Sequence, residues 1–557
     1  MFFRLIRSIG LLLSFYGYIS FFAMKIDRNL AIGFTFASIG SAMFLAGLLN
    51  ILPEMAITIF CLGLILFLTE IRNKNISLCI GEVYVALAAI VVLACVYGKM
   101  FLTYDNFSHW ATAVKHMYLT NRFPNFMDPY IDFQSYPLGA GVFNYYCLKI
   151  TNIRSEWFQM LVHAVCNLGM LSGLFCLSRD RLSELFCAIC CTLLLSAVNA
   201  ADMLCVDGML AFTAICAFAF CIYYRDCLHE KGWYLSPWLA FLVSIKNSGL
   251  LFAFLIILWV LVLAEIKHGK LRLTIGLSFV TLVTAWLWRK HVKYVFVNGN
   301  AAPHSISLSQ FKNIFDSKSI DDVHNITTGV IRNIFSVTNP YFLVFVFSAV
   351  VFIMSLIYAK QNKAVRNMLL YSFICYVIYQ LGLLGMFLFS MPRTDAITLL
   401  GWSRYHSTSW IFSTGVLAAS LMQLDSKLQM KTASIGYLLC VACFILSGGP
   451  SLRYFQTSSP EKYAVRQKCE TIIKDNDIPV GKRYLIIVDS DHNDSGYLYC
   501  LIKYLLFPEY SQVIKVDNIS DQIINDDEYD YLIAYGSTKE VNDLYEEYSR
   551  KTNIIVR

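Results

Sequence analysis

Cys205-Val-Asp-Gly-Met-Leu-Ala-Phe-Thr-Ala-Ile-Cys-Ala-Phe-Ala-Phe-Cys-Ile-Tyr-Tyr224 carries one charge, Asp207, and is followed at once by Arg225 and Lys231. A run of that length crosses the hydrocarbon of a bilayer as one helix. A basic cluster at its end marks the cytoplasmic side. Working outward, similar runs lie near residues 8–24, 30–51, 54–70, 76–98, 156–178, 183–199, 233–247, 249–265, 272–290, 341–359, 368–390, 408–424 and 433–449. The fold class they predict is a polytopic α-helical membrane protein with thirteen to fourteen transmembrane helices. No internal repeat accompanies them, which disfavours transporters built from inverted repeats.

The short links orient the spans. Arg72 and Lys74, Arg179 and Arg181, Arg225 and Lys231, Lys267 with Lys270 and Arg272, Lys360 with Lys363 and Arg366, and Lys427 with Lys431 are each separated from the next cluster by two runs. All six therefore fit the cytoplasm together. Loops 99–155, 291–340 and 391–407, and the tail 450–557, then face outward. The N-terminus resists this scheme, because Arg4 and Arg7 fall outside while Lys25 and Arg28 fall inside.

Composition agrees. Of 557 residues 57% are hydrophobic and 15% charged, against about 25% charged in an average globular chain. A soluble multidomain enzyme, a disordered chain and a small disulfide scaffold are excluded. The net charge of +7 divides unevenly: from Pro450 onward 13 Lys and Arg face 18 Asp and Glu. The basic excess belongs to the links of the 1–449 membrane region, which argues against a nucleic-acid partner. Most of the 18 cysteines lie in apolar runs as small core residues. Cys469 and Cys500, in the polar tail, are the pair able to bridge in an oxidising compartment.

The tail 450–557 reads as a small extracytoplasmic α/β domain. Lys482–Asp489 has the apolar run of a buried strand, Tyr497–Phe507 is helical, and Gln512–Val516 and Tyr529–Tyr535 are further strands of a mostly parallel sheet. Asp489, Asp491 and Asp494 crowd the first strand-to-helix turn without the spacing of a calcium loop, so turn chemistry is the better reading.

In the first long loop, Tyr104-Asp-Asn-Phe-Ser-His-Trp110 begins an amphipathic pattern. Phe107, Trp110, Ala111, Val114 and Tyr118 share one helical face, and Asp105, Ser108, His109, Thr112 and His116 share the other. Such a helix is expected along the membrane surface, with Asp105 and His109 available to one substrate. The alternative makes Asp105 an N-cap and His109 a solvated neighbour. Lys246 sits in an otherwise apolar run, where a cation is costly and has a functional reason unless it snorkels to the interface. Asp202 and Asp207 flank the start of the 205–224 span, as ligands for hydroxyls or a metal or as helix-terminating residues. His304, in the second long loop, is a further candidate.

These segments carry a resemblance. Asp105 to Trp110, the aromatic-proline turn Gln134-Ser-Tyr-Pro-Leu-Gly139, Ser244-Ile-Lys-Asn-Ser-Gly-Leu250 and Arg404-Tyr405 together resemble the GT-C superfamily of membrane glycosyltransferases, over residues 75–425. The resemblance implies transfer of a sugar from a polyprenyl-phosphate-linked donor to a glycan or lipid acceptor at the outer face, with inversion. Asp105 occupies the position of the general base. Arg404 and Lys246 would hold the lipid phosphate, the alternative for Arg404 being an ordinary interfacial anchor with Tyr405, and His109, Trp110, Tyr136 and Tyr405 would contact substrate. Some relatives instead use an acidic residue for a divalent metal, which Asp105 with His109 would have to supply. No cofactor is otherwise implied. A flippase of lipid-linked glycans, or a polysaccharide polymerase or ligase, shares the span count. The gathering of charged candidates at the outer boundary, with few inside the spans, favours the transferase.

Overall fold

The computed structural model describes residues 2–73, 77–198, 201–264, 268–296, 308–336, 342–358, 363–425, 430–446, 459–488, 496–515, 529–535 and 555–556. The helices in order are α1 (Phe2–Ala23), α2 (Arg28–Leu48), α3 (Leu52–Arg72), α4 (Ile80–Val96), α5 (Ala111–Thr120), α6 (Gly139–Thr151), α7 (Glu156–Leu171), α8 (Arg181–Ser196), α9 (Asp207–Tyr223), α10 (Leu228–Lys231) and α11 (Ser236–Ile245). They continue as α12 (Gly249–Leu258), α13 (Lys270–Val295), α14 (Leu308–Asp316), α15 (Ile320–Phe335), α16 (Phe342–Tyr358), α17 (Lys363–Phe389), α18 (Arg393–Ile397), α19 (Trp402–Asp425), α20 (Met430–Leu446), α21 (Pro460–Asp475) and α22 (Tyr497–Leu506).

The protein is a helical membrane protein. Among the described residues six helical segments are long and apolar enough to cross a bilayer: Phe2–Ala23, Arg28–Leu48, Leu52–Arg72, Glu156–Leu177, Lys270–Val295 and Val365–Phe389. A seventh is counted if Asp207–Tyr223 and Arg225–Ile245, bent by 73°, form one span. Of the other expected runs, 408–424 lies within the 24-residue α19, and the rest form shorter helices. Two meet end to end: the runs 233–247 and 249–265 fold as α11 and as α12 with a π-turn over Trp259–Leu263, and Lys246–Ser248 separate them, so α11 and α12 have 10 residues each. The break falls where Lys246, Asn247 and Ser248 interrupt the hydrophobic pattern.

α9 forms the centre. It is apolar on every side, and residues Asp207 to Ile222 are all buried, as expected of a helix surrounded by others. It packs against α2, α7, α11, α12 and α19. Those neighbours bring the loop before α6, the α11–α12 break and the start of α19 to the Asp207 end.

In the C-terminal segment β1 (Arg483–Val488), β2 (Tyr510–Lys515), β3 (Tyr531–Tyr535) and β4 (Ile555–Val556) form a parallel sheet in the order β2-β1-β3-β4. Ile486, on the central strand, registers with Val513 and Ile533. Asp489, Asp491 and Asp494 lie outside the described residues. Cys469 and Cys500 are both buried, and no disulfide joins them.

The first-loop helix forms, but its surroundings correct the expectation of a helix lying on a surface. Ser108, His109, Thr112 and His116, expected on a solvated face, are buried. The Phe107 ring packs on Tyr497 and Tyr504 of α22, at centroid distances of 5.8 and 5.3 Å. A hydrophobic period fixes which residues share a face and says nothing of what covers the other.

Candidate active site

Residues Asn106–Trp110 form one turn of π-helix leading into α5. Such turns place an extra residue on one face and recur at functional sites. Asp105 stands just before this turn, and its carboxylate makes no capping hydrogen bond, so the N-cap reading fails. Asn106 fixes the turn: its amide donates to the Asp202 carbonyl at 2.7 Å, and its side-chain oxygen accepts from the Leu204 N–H at 2.9 Å. The Asp105 side chain is thereby directed toward α9 and α19.

Four charges meet there. Arg404 Nη1 donates to Asp105 Oδ2 at 2.7 Å, and Arg404 Nε lies 3.7 Å from Asp207 Oδ2. Lys246 Nζ donates to Asp207 Oδ1 at 2.8 Å. Asp207 is the first residue of α9, so its carboxylate also sits at the favourable end of that helix dipole. Lys246 occupies the α11–α12 break with extended backbone, φ −160° and ψ 155°, which turns its side chain out of the helical path.

Two glycines make this geometry fit. A Cβ on Gly249 would lie 1.8 Å from the Leu242 carbonyl oxygen, and one on Gly139 would lie 2.6 Å from the Ser244 carbonyl oxygen. Only glycine permits such close approach of backbone to backbone. The turn before α6 is held to the break by Ser135, whose carbonyl accepts from Asn247 Nδ2 at 3.3 Å and Trp288 Nε1 at 2.9 Å.

Aromatic rings line the charge cluster. Lys246 and Arg404 lie 5.1 and 5.0 Å from the centroid of the Tyr405 ring, and Arg404 Nη2 donates to the Tyr405 hydroxyl at 3.1 Å. Tyr136 stacks on Trp110 and Phe133, and His109 meets these three rings edge to face. Neither His109 nitrogen has a hydrogen-bond partner among the described residues. Burial, reinforced by the Lys246 charge, pushes its imidazole down to about 3.

A cavity of about 590 Å³ opens beside the cluster. Tyr136, Lys246, Asn247, Ser248 and Tyr405 form its polar end, and Leu251, Leu383, Met386 and Phe389 form its apolar walls. Phe311 of α14 closes one side. Among the described residues Arg404 Nε, buried beside Asp207, makes no hydrogen bond, and the Lys246 ammonium, at the polar end of the cavity, is bonded only to Asp207.

The structure thus brings together Asp105, Asp207, Lys246, Arg404 and Tyr405, with His109, Trp110 and Tyr136 beside them. Asp202 is not in the cluster: its carbonyl supports Asn106, while burial pushes its carboxyl up to about 6 despite Lys462 and Lys99 nearby. His304 lies outside the described residues. Sequence reading missed Cys205, whose thiol lies 3.6 Å from Asp105 Oδ2, and Tyr379 on the cavity wall. Nothing distinguishes either from other core residues of apolar runs. The ligands for a divalent metal do not assemble: Asp105 is engaged by a guanidinium, His109 is enclosed by rings, and no three His, Cys, Asp or Glu side chains converge among the described residues.

No family model and no curated protein matches the chain.

Proposed function

We propose that the protein is a bacterial cytoplasmic-membrane glycosyltransferase that moves a sugar from a polyprenyl-phosphate-linked donor to a glycan or lipid acceptor at the outer face. The observation that carries this reading is the chain of contacts from one partly exposed carboxylate, Asp105, through Arg404 and Asp207 to Lys246, which lines the polar end of an apolar-walled cavity. In this reading the spans number about fourteen, the basic links are cytoplasmic, and the parallel sheet of the tail belongs to a small outer α/β domain.

The isoprenoid chain occupies the cavity between α12 and α17, and its phosphate meets the Lys246 ammonium and the partly exposed Arg404 guanidinium. A guanidinium offers a planar fork suited to phosphate oxygens. Arg404 is shared between Asp105 and the phosphate, so arrival of the donor weakens its hold on the carboxylate. Asp105 then accepts the proton of the acceptor hydroxyl as that oxygen attacks the anomeric carbon. The bond from that carbon to the phosphate oxygen breaks, and its electron pair leaves with the polyprenyl phosphate. Arg404 and Lys246 stabilise the charge that develops there, and attack opposite the leaving group inverts the anomeric centre. Asp207 keeps both cations in place.

Structure determination with a polyprenyl-phosphate analogue tests this reading. The phosphate is expected within hydrogen-bond reach of Lys246 and Arg404, beside Asp105. A phosphate bound elsewhere removes the site. Movement of lipid-linked sugar between leaflets of purified vesicles, without product, transfers the assignment to a flippase.

A further inference from the structure

The C-terminal segment holds the backbone on both sides of Asp105. Glu156, the first residue of α7, accepts hydrogen bonds from the Phe101 N–H at 2.7 Å, from Arg466 Nη1 and Nη2 at 2.7 and 2.9 Å, and from the Tyr504 hydroxyl at 2.7 Å. Arg466 Nη1 also donates to the Phe101 carbonyl at 2.7 Å, and Arg466 Nε donates to Glu470 at 2.8 Å. Both polar groups of the Phe101 backbone are thus fixed four residues before Asp105. The Tyr497 hydroxyl donates to the Leu102 carbonyl at 3.2 Å. Two residues after Asp105, the Phe107 ring meets Tyr497, Tyr504 and the Arg466 guanidinium. Lys503 with Asp132 at 2.6 Å and Lys115 with the Tyr504 carbonyl at 2.7 Å secure α22 to the rest of the loop.

Residues Phe101–Thr103 have no regular secondary structure, so their own hydrogen bonds do not set the direction of Asp105. Arg466 is 4% exposed and each of its nitrogens is bonded. A buried, fully bonded guanidinium reaching the peptide beside a candidate base defines position more sharply than apolar contact alone. We infer that Arg466, Tyr497 and Tyr504 are positioning residues, which hold the Phe101–Phe107 segment so that the Asp105 carboxylate meets Arg404 and Cys205. Their catalytic consequence rests on the reading of Asp105 as the base; the positioning itself does not. None of the three touches the cavity.

The test uses the full-length protein in membranes, with Arg466→Gln, the conservative Arg466→Lys, and Tyr504→Phe, which removes a single hydroxyl and keeps the fold. Alkylation of individual cysteines is mapped by mass spectrometry after brief exposure to a maleimide. Cys205, beside Asp105, is expected to react about tenfold faster in Arg466→Gln and Tyr504→Phe through local opening. Cys166 in α7 and Cys216 in α9, both fully buried, should stay protected, and Arg466→Lys should restore part of the Cys205 protection. Sugar transfer should lose roughly ten- to a hundredfold in kcat with KM for the lipid donor unchanged. Unaltered protection of Cys205 overturns the proposal. Exposure of Cys205, Cys166 and Cys216 together also overturns it, because these residues then support the whole fold rather than one segment. Failure of the transferase reading is separate: it appears as absence of transfer by the unsubstituted protein, whatever the cysteines show.

Discussion

The Arg404 guanidinium stands 2.7 Å from the Asp105 carboxylate, 299 residues away along the chain. The two side chains are 26% and 30% exposed, so the pair sits at a boundary rather than in the core. Its neighbour pair, Lys246 with Asp207, is more deeply buried at 11% and 9%. One pair is open at its surface and, in the proposed reading, meets substrate. The other is the fixed support behind it, and the two respond differently to substitution.

Lys246→Met leaves Asp207 buried with only Arg404 Nε, 3.7 Å away, as compensation. Loss of one partner of a buried pair costs about 3–5 kcal/mol. Thermal unfolding should show that loss in Lys246→Met. Asp207→Asn combined with Lys246→Met should recover most of it, since neither charge then remains unpaired. A double variant as unstable as the single one would mean that the pair is not an isolated unit.

Gly385 lines the cavity, and a Cβ there meets nothing within 4 Å. Gly385→Trp should fill the apolar end while improving helix propensity in α17. Affinity for a long-chain polyprenyl phosphate is expected to fall about tenfold or more, while Gly385→Ala binds normally. Equal binding by the Trp variant would place the lipid chain elsewhere.

Asp202 carries a pH dependence. Its folded pKa is raised to about 6 from 3.8 by burial, so its favourable contribution is complete below pH 3.8 and is lost as pH rises through 6. At pH 8 the ionised group is a burden of up to about 3 kcal/mol. Asp202→Asn should therefore melt higher than the unsubstituted protein at pH 8 and equally at pH 3.5. Sugar transfer should be unchanged, because the Asp202 side chain stands apart from the charge cluster.

His109 has the opposite sign. Its folded pKa is lowered to about 3 from 6.5, so stability is full above pH 6.5 and falls with acid as the unfolded chain takes up a proton that the folded one refuses. His109→Phe should flatten that loss, exceeding the unsubstituted protein by about 3 kcal/mol at pH 4. His116, held near 4 by burial, continues to titrate in both proteins. Parallel stability curves from pH 7 to pH 4 would show that His109 is hydrated.

How much of this was legible in the sequence depends on whether a residue violated its surroundings. Lys246 stood out because a cation in an apolar run demands compensation, and its partner is Asp207, a lone acid in another such run. Arg404 and Asp105 lay in motifs whose resemblance suggested one site, and they meet. Glu156 and Arg466 were invisible. An acid at the start of an apolar helix looks like an ordinary dipole partner, and an Arg four residues before Glu470 looks like a surface pair. Their 310-residue separation is bridged only by the fold. The division between α11 and α12 was legible at residue 248, but the shortness of the two helices was not, because the apolar runs on either side each suggested a complete span.

The central claim, that Asp105 is the general base, is tested most directly by single-turnover sugar transfer in membranes supplied with the correct polyprenyl-phosphate-linked donor, comparing the unsubstituted protein with Asp105→Asn. Removal of a general base costs about 10²- to 10⁴-fold, and that loss is expected with donor binding retained, since Arg404 and Lys246 remain. Transfer by Asp105→Asn at the unsubstituted rate would contradict the account.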